Sequence, residues 1–181
     1  MKKGFTLIEI MVATSIFMIV MLVAIGALVS VVNSSKKAEA LHYAMDNVNF
    51  AMENISRNLR LGSNYYCTST SGFSLPTTTI GDCPDGNNAI VFTPYNETQS
   101  TEAFQLSAFS PKVIQKVTTS GITDLTSSEV EIKELKFFVK GSNLLDGVQP
   151  SVYIKMRGVV TVKGEETEFA VQTLASQRNY E

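Results

Sequence analysis

The sequence predicts an α+β protein in which one long N-terminal helix packs on an antiparallel β-sheet, and three observations carry that prediction. From Phe5 to Val32 the chain is uncharged except at Glu9. From Asn33 to Leu61 no proline enters either, but the residues become two-faced, apolar on one side and polar on the other. After Asn88, short alternating segments follow one another, separated by glycine-containing turns. A helical period followed by a period of two reads as a helix and then strands. Stacking the helix on one face of the sheet buries both apolar surfaces.

The first segment is long enough to span a bilayer. Phe5 to Val32 makes roughly 40 Å of helix at 1.5 Å per residue, against a hydrocarbon core of about 30 Å. Lys2-Lys3-Gly4 stands directly before it, and a basic N-terminal flank keeps that end in the cytoplasm while the rest is exported. Glu9 is the anomaly, because a carboxylate deep in an apolar helix costs about 2.5–3.5 kcal/mol on insertion scales. No lysine, arginine or histidine follows it within two helical turns, so the expectation is a compensating cation from elsewhere.

Gly4-Phe5-Thr6-Leu7-Ile8-Glu9, after a short basic leader and before a long apolar run, resembles the class III signal sequence of type IV pilins and type II secretion pseudopilins. The resemblance implies a type IV pilin-like fold and cleavage after Gly4 by prepilin peptidase. It also implies N-methylation of the new N-terminal Phe5 and a role for Glu9 in assembly. Cleavage would create a cationic amine on Phe5, which the Glu9 of a neighbouring subunit can meet in a low-dielectric bundle, so that a buried charge sets the register. The implied partners are other pilin or pseudopilin subunits, the peptidase, the inner-membrane assembly platform, and membrane lipid before assembly.

Two other readings of the same stretch are weaker. A plain transmembrane anchor leaves Glu9 and the preceding glycine as coincidences. A secretory signal peptide cleaved at Ala38-Glu39-Ala40 would need an apolar run of 7–15 residues, about half of what is present, and Lys36-Lys37 sits just before that site. The expected division is therefore a leader at 1–4, a transmembrane and filament-core helix at 5–32, an amphipathic helix at 33–61 and a sheet domain at 62–181.

In the amphipathic segment Leu41, Met45, Val48, Met52, Ile55 and Leu59 recur at spacings of four and three, which places them on one face. Lys36, Lys37, Glu39, Asp46, Asn47, Glu53 and Arg57 form the opposite, solvated face. Gly26 marks a place where the helix loosens or packs closely against another helix. Gly62 is expected to cap the C-terminus, with Arg57 and Arg60 suiting the negative end of the dipole.

Ser63 to Asn88 reads as a turn-rich loop containing Cys67 and Cys83, the only two cysteines. Both lie in the exported part, where an oxidising compartment favours a disulfide. Asp82-Cys83-Pro84-Asp85-Gly86-Asn87-Asn88 offers oxygen ligands, and major pseudopilins as a family bind calcium, but the spacing is not that of an EF-hand. Pro-Asp-Gly reads more simply as a β-turn, and no metal site is assigned. The strand candidates are Ala89–Phe92, Ala103–Phe109, Lys112–Thr118, Glu129–Lys140, Val152–Val162 and Phe169–Leu174. The apolar phase slips between Ile132 and Leu135, which points to a bulge. Lys140-Gly141-Ser142-Asn143, Asp146-Gly147 and Lys163-Gly164-Glu165 supply turns. Leu135-Lys136-Phe137, Gln149-Pro150-Ser151-Val152 and the run Gln172 to Asn179 resemble minor pilins and J-type pseudopilins.

Composition argues against catalysis and against nucleic acid. His42 is the only histidine, so no histidine-based triad can form, and neither a GxGxxG nor a P-loop is present. No cofactor is implied. Glu165, Glu166 and Glu168 form an acidic cluster at a hairpin end. The chain has 15 basic and 17 acidic residues, a net charge of −2, and removing Lys2 and Lys3 would leave 13 against 17, or −4. Lys112, Lys116, Lys133, Lys136 and Lys140 alternate with acids and make a poor DNA surface. The expected function is a structural subunit, a minor one, of a type IV pilus or type II secretion pseudopilus. The alternative is a membrane-anchored extracytoplasmic binding or sensor domain that never polymerises.

Overall fold

A computed structural model of the chain describes residues 4, 6–69, 75, 79–95, 100–143, 147–162 and 164–178, without the side chain of Glu165. Lys2, Lys3, Phe5, Asp146, Lys163 and Asn179, all named above, lie outside the described residues. One α-helix, α1, runs over Leu7–Leu61. Nine strands follow: β1 Ser63–Thr68, β2 Cys83–Asn87, β3 Ala89–Thr93, β4 Glu102–Leu106, β5 Ile114–Thr118, β6 Gly121–Asp124, β7 Val130–Lys140, β8 Ser151–Val162 and β9 Glu165–Ser176. The chain divides into two compact units, residues 1–40 and 41–181.

The second unit is the α+β body. The part of α1 that belongs to it buries Ala44, Val48, Ala51, Met52, Ile55, Ser56 and Leu59 against antiparallel sheets. Four of the six residues expected on the apolar face are fully buried, and Leu41 and Met45 are half-buried at its start. Ala44 and Ala51 complete the stripe, since small side chains let a helix approach a sheet closely.

The expected single sheet is two sheets. One has the strand order β1-β3-β4-β5-β6 and the other β2-β7-β8-β9, and all pairings are antiparallel. Cys67 lies on β1 and Cys83 on β2, so their disulfide, with Cα atoms 6.1 Å apart, joins one sheet to the other. β3 and β4 are buried almost throughout, as expected of strands covered on both faces. Phe92 and Phe104 stack between them with ring centroids 5.4 Å apart.

β7 shows the anticipated slip. Its register shifts between Ile132 and Glu134, and the bulge keeps Val130, Ile132, Leu135, Phe137 and Val139 all in the core. β8 contributes Val152, Ile154 and Met156 from the facing register. Other strand limits change: the strand expected at Ala103–Phe109 is Glu102–Leu106, and Phe169–Leu174 extends to Glu165–Ser176.

Two segments read as loop or turn are strands. Ser63–Thr68 pairs with β3. Pro84-Asp85-Gly86, expected to form a β-turn, lies within β2. There Cys83 faces Val139 and Asn87 faces Phe137, so two extra residues are taken up as a bulge with Gly86 at φ 69°. A Cβ on Gly86 would come within 2.6 Å of the Phe138 ring, so glycine is required here on both counts. β6 was not anticipated either, because its residues are all exposed and carry no apolar alternation.

The helix end also differs in mechanism from the predicted cap. Gly62 follows α1 directly, but the residue in the left-handed region is Asn64, at φ 55°. Gly62 is needed for space: a Cβ there would lie 2.8 Å from the Phe92 ring and 3.0 Å from the Thr93 carbonyl. The last carbonyls of the helix, which lack intrahelical donors, find partners from other elements. The Tyr65 hydroxyl shares its one proton between the Leu59 and Gly62 carbonyls, at 2.5 and 2.8 Å, and the Arg178 N–H donates to the Arg60 carbonyl at 2.8 Å. Burial drives the Tyr65 phenol well above its ordinary pKa of 10.0, because a phenolate there would face carbonyl oxygens without water.

Candidate functional site

The N-terminal segment is the place where sequence chemistry concentrates, so its geometry comes first. Gly4 and Thr6 are exposed, and α1 begins at Leu7. The Glu9 and Ile10 N–H groups donate to the Thr6 carbonyl at 3.2 and 3.3 Å, which makes Thr6 the N-cap and Glu9 the third residue of the helix. The Glu9 carboxylate turns back to accept from the Thr6 N–H at 3.4 Å and from the Thr6 hydroxyl at 3.5 Å.

Glu9 reaching back to Thr6 is half of a capping box, a role the reading of the sequence missed. The signal was available: Thr6-Leu7-Ile8-Glu9 is the T-x-x-E pattern that precedes an apolar helix. A carboxylate in the first turn also faces the positive end of the helix dipole. Part of the compensation that Glu9 needs therefore comes from its own helix start rather than entirely from a distant cation. Both contacts are long and exposed, so the carboxylate remains accessible to a cation brought beside it.

Downstream, every large apolar side chain from Leu7 to Val32 that the structure describes is exposed, most by more than half. The helix contains a window of mean hydropathy 2.8 with none of it buried within the chain. Its polar side chains are satisfied locally. Thr14 donates to the Ile10 and Met11 carbonyls at 3.0 and 3.1 Å, and Ser15 donates to the Val12 carbonyl at 2.8 Å. Internal satisfaction of this kind is the condition for placing polar groups in a hydrocarbon environment. Gly26 leaves no interruption in α1, and a Cβ there would meet nothing within 4 Å.

The other residues singled out in the sequence have structural surroundings. His42 is exposed on α1. The Asp82 carboxylate accepts from the Gly141 and Ser142 N–H groups at 3.2 and 2.7 Å, so it fastens the turn after β7, where Gly141 sits at φ 74°. Among the described residues no three His, Cys, Asp or Glu side chains are grouped to hold a metal ion. Lys116 is paired with Glu102 at 2.7 Å and Lys133 with Glu131 at 2.8 Å, which removes two members of the lysine series from any basic surface.

Residues 1–31 match the family model described as the prokaryotic N-terminal methylation motif. That segment, leading into a long apolar helix and an α+β body, is similar to the N-terminus of type IV pilin-like prepilins. The apolar helix that follows it, near the N-terminus, fits a membrane-anchored pilin. No curated protein and no solved structure matches the chain.

Proposed function

We propose that the chain is a structural subunit of a type IV pilus or a type II secretion pseudopilus, and a minor one. It is inserted with Lys2 and Lys3 in the cytoplasm, cut after Gly4 by prepilin peptidase and N-methylated on Phe5. It is then drawn from the inner membrane by the assembly platform into a helical bundle. Residues 5–32 pack against the same segment of neighbouring subunits, and residues 33–61 carry the sheet domain, whose Cys67–Cys83 bridge suits an oxidising compartment outside the cytoplasm. The Glu9 carboxylate of one subunit meets the Phe5 amine of the next.

The observation that carries the reading is Glu9 itself, an exposed carboxylate at the start of an apolar helix that buries none of its large side chains within its own chain. An anchor would be more stable in lipid without that charge. A subunit that must pair with a neighbour's amine requires it. The lipid-facing apolar surface can be exchanged for helix–helix contact once subunits assemble.

The test is the intact mass and N-terminal sequence of the protein recovered from membranes of cells that contain the peptidase. A chain beginning with N-methylated Phe5 is expected. A chain still beginning at Met1, in cells whose known pilins are processed, would leave a simple anchored domain.

A further inference from the structure

The geometry points to a head-to-tail contact between copies of this chain, in which an arginine-lined groove at one end of β9 takes the acidic hairpin from the other end of β9 of a second copy. The inference rests on the reading of the chain as a polymerising subunit, and it names the contact its sheet domains make.

The groove lies between the last turns of α1 and the end of β9, with a volume of about 670 Å³, and Arg57, Arg60 and Arg178 line it together with one carboxylate, Glu53, and the apolar Met52 and Leu61. Its walls are fastened. The Arg178 N–H donates to the Arg60 carbonyl at 2.8 Å, the Gln177 N–H to the Pro150 carbonyl at 2.9 Å, and the Gln149 side chain to the Gln177 carbonyl at 2.7 Å. The first of these bonds joins the backbone just after β9 to the last turn of α1. Arg57 is paired with Glu53 at 2.8 Å, whereas Arg60 and Arg178 have no carboxylate partner among the described residues. Both side chains line the same groove, and a forked guanidinium is shaped to take a carboxylate through two hydrogen bonds.

The matching anion is on the same strand. Glu166 and Glu168 stand two residues apart near the start of β9, both exposed, and so point to the same side. Neither is joined to a cation in a close ion pair among the described residues: Lys133 is held by Glu131 at 2.8 Å, with the Glu166 charge acting on it from farther away. β9 is the outer strand of its sheet, so no neighbouring strand covers either end. The groove and the hairpin are separated by most of the length of β9, roughly 30 Å at 3.3 Å per residue, so one molecule cannot bring them together. A contact between two different patches on successive copies is heterologous and continues into an open array unless it closes into a ring. That is the geometry a filament needs.

The test is a charge swap in the full chain, purified in non-ionic detergent micelles, with association between differently tagged copies measured by sedimentation. The groove variant carries Arg60→Glu and Arg178→Glu, and the hairpin variant carries Glu166→Arg and Glu168→Arg. All four positions are exposed, and circular dichroism checks that each variant is folded. Each variant alone is expected to associate roughly tenfold or more weakly than the wild type, and a mixture of the two to recover association, because each supplies the charge the other lacks. Wild-type association should also fall steeply between 0.1 and 1 M salt as the screening length shortens from about 10 to 3 Å. Variants that associate like the wild type, or a mixture no tighter than its parts, would overturn the contact. Surface filaments formed normally despite a failed swap would sink the contact and leave the subunit reading standing. A successful swap in a chain that never forms filaments would sink the subunit reading and leave the contact.

Discussion

Replacing Tyr65 by Phe removes one oxygen from a residue that is 1 % exposed and changes almost nothing in packing volume. That oxygen is the donor for the Leu59 and Gly62 carbonyls, both at the buried end of α1. Without it, the two carbonyls lose the one proton they share in a place that water does not reach, at about 1–3 kcal/mol. Some relaxation of the helix end toward its own N–H groups offsets part of this, so a net loss of about 2 kcal/mol is expected for Tyr65→Phe. In a unit of this size that lowers the melting temperature by about 4–8 °C. The assay is thermal and urea unfolding of the full chain in micelles, followed by the sheet signal in circular dichroism.

A second readout comes from pH. The folded state keeps the Tyr65 proton well above the ordinary value of 10.0, so above that pH the unfolded state binds fewer protons than the folded one. Stability then declines as pH rises, since its slope follows the difference in bound protons. The contribution is fully present below pH 10 and fades above it, and Tyr65→Phe should lose that part of the decline. A variant melting within a degree of the wild type, with an unchanged alkaline profile, would refute the claim that the hydroxyl caps the helix.

Three further outcomes follow from the same structure. Gly62→Ala should destabilise the domain by about 1–3 kcal/mol, because the added Cβ must displace the Phe92 ring at 2.8 Å and the Thr93 carbonyl at 3.0 Å; denaturant midpoints measure it. Replacing Cys67 and Cys83 together by Ser should cost about 3 kcal/mol in the chain-entropy model for a closed loop near 15 residues, and the same denaturant series run with and without reductant shows whether the wild type moves to the double variant. Glu9→Ala should leave membrane levels normal or raised while surface assembly falls sharply; intact assembly at normal membrane levels, read by shearing and immunoblotting, would remove the role given to Glu9.

The helical half and its amphipathic face were legible because local period carries that information, and the Ile132–Leu135 slip was legible for the same reason. Ser63–Thr68 and Cys83–Asn87 were not. Neither has an alternating apolar pattern of its own, and each becomes a strand only because β3 or β7 offers an edge to pair with. Gly62 shows the same limit in a single residue: its place after the helix was readable, but its reason is the Phe92 ring, thirty positions away in sequence. Glu9 is the opposite case, since Thr6 and its spacing were in view and only the capping role was overlooked.

By itself the sequence determined an apolar membrane-length helix behind an N-terminal methylation motif, an amphipathic continuation and a run of strands, because charge, hydropathy and periodicity are local properties. Only the tertiary structure decided that the strands divide into two sheets, that the cysteine pair ties one sheet to the other, and that Arg60 and Arg178 line one groove. Each of those depends on which distant segments share an edge or a surface, and that choice is made by packing the whole core at once.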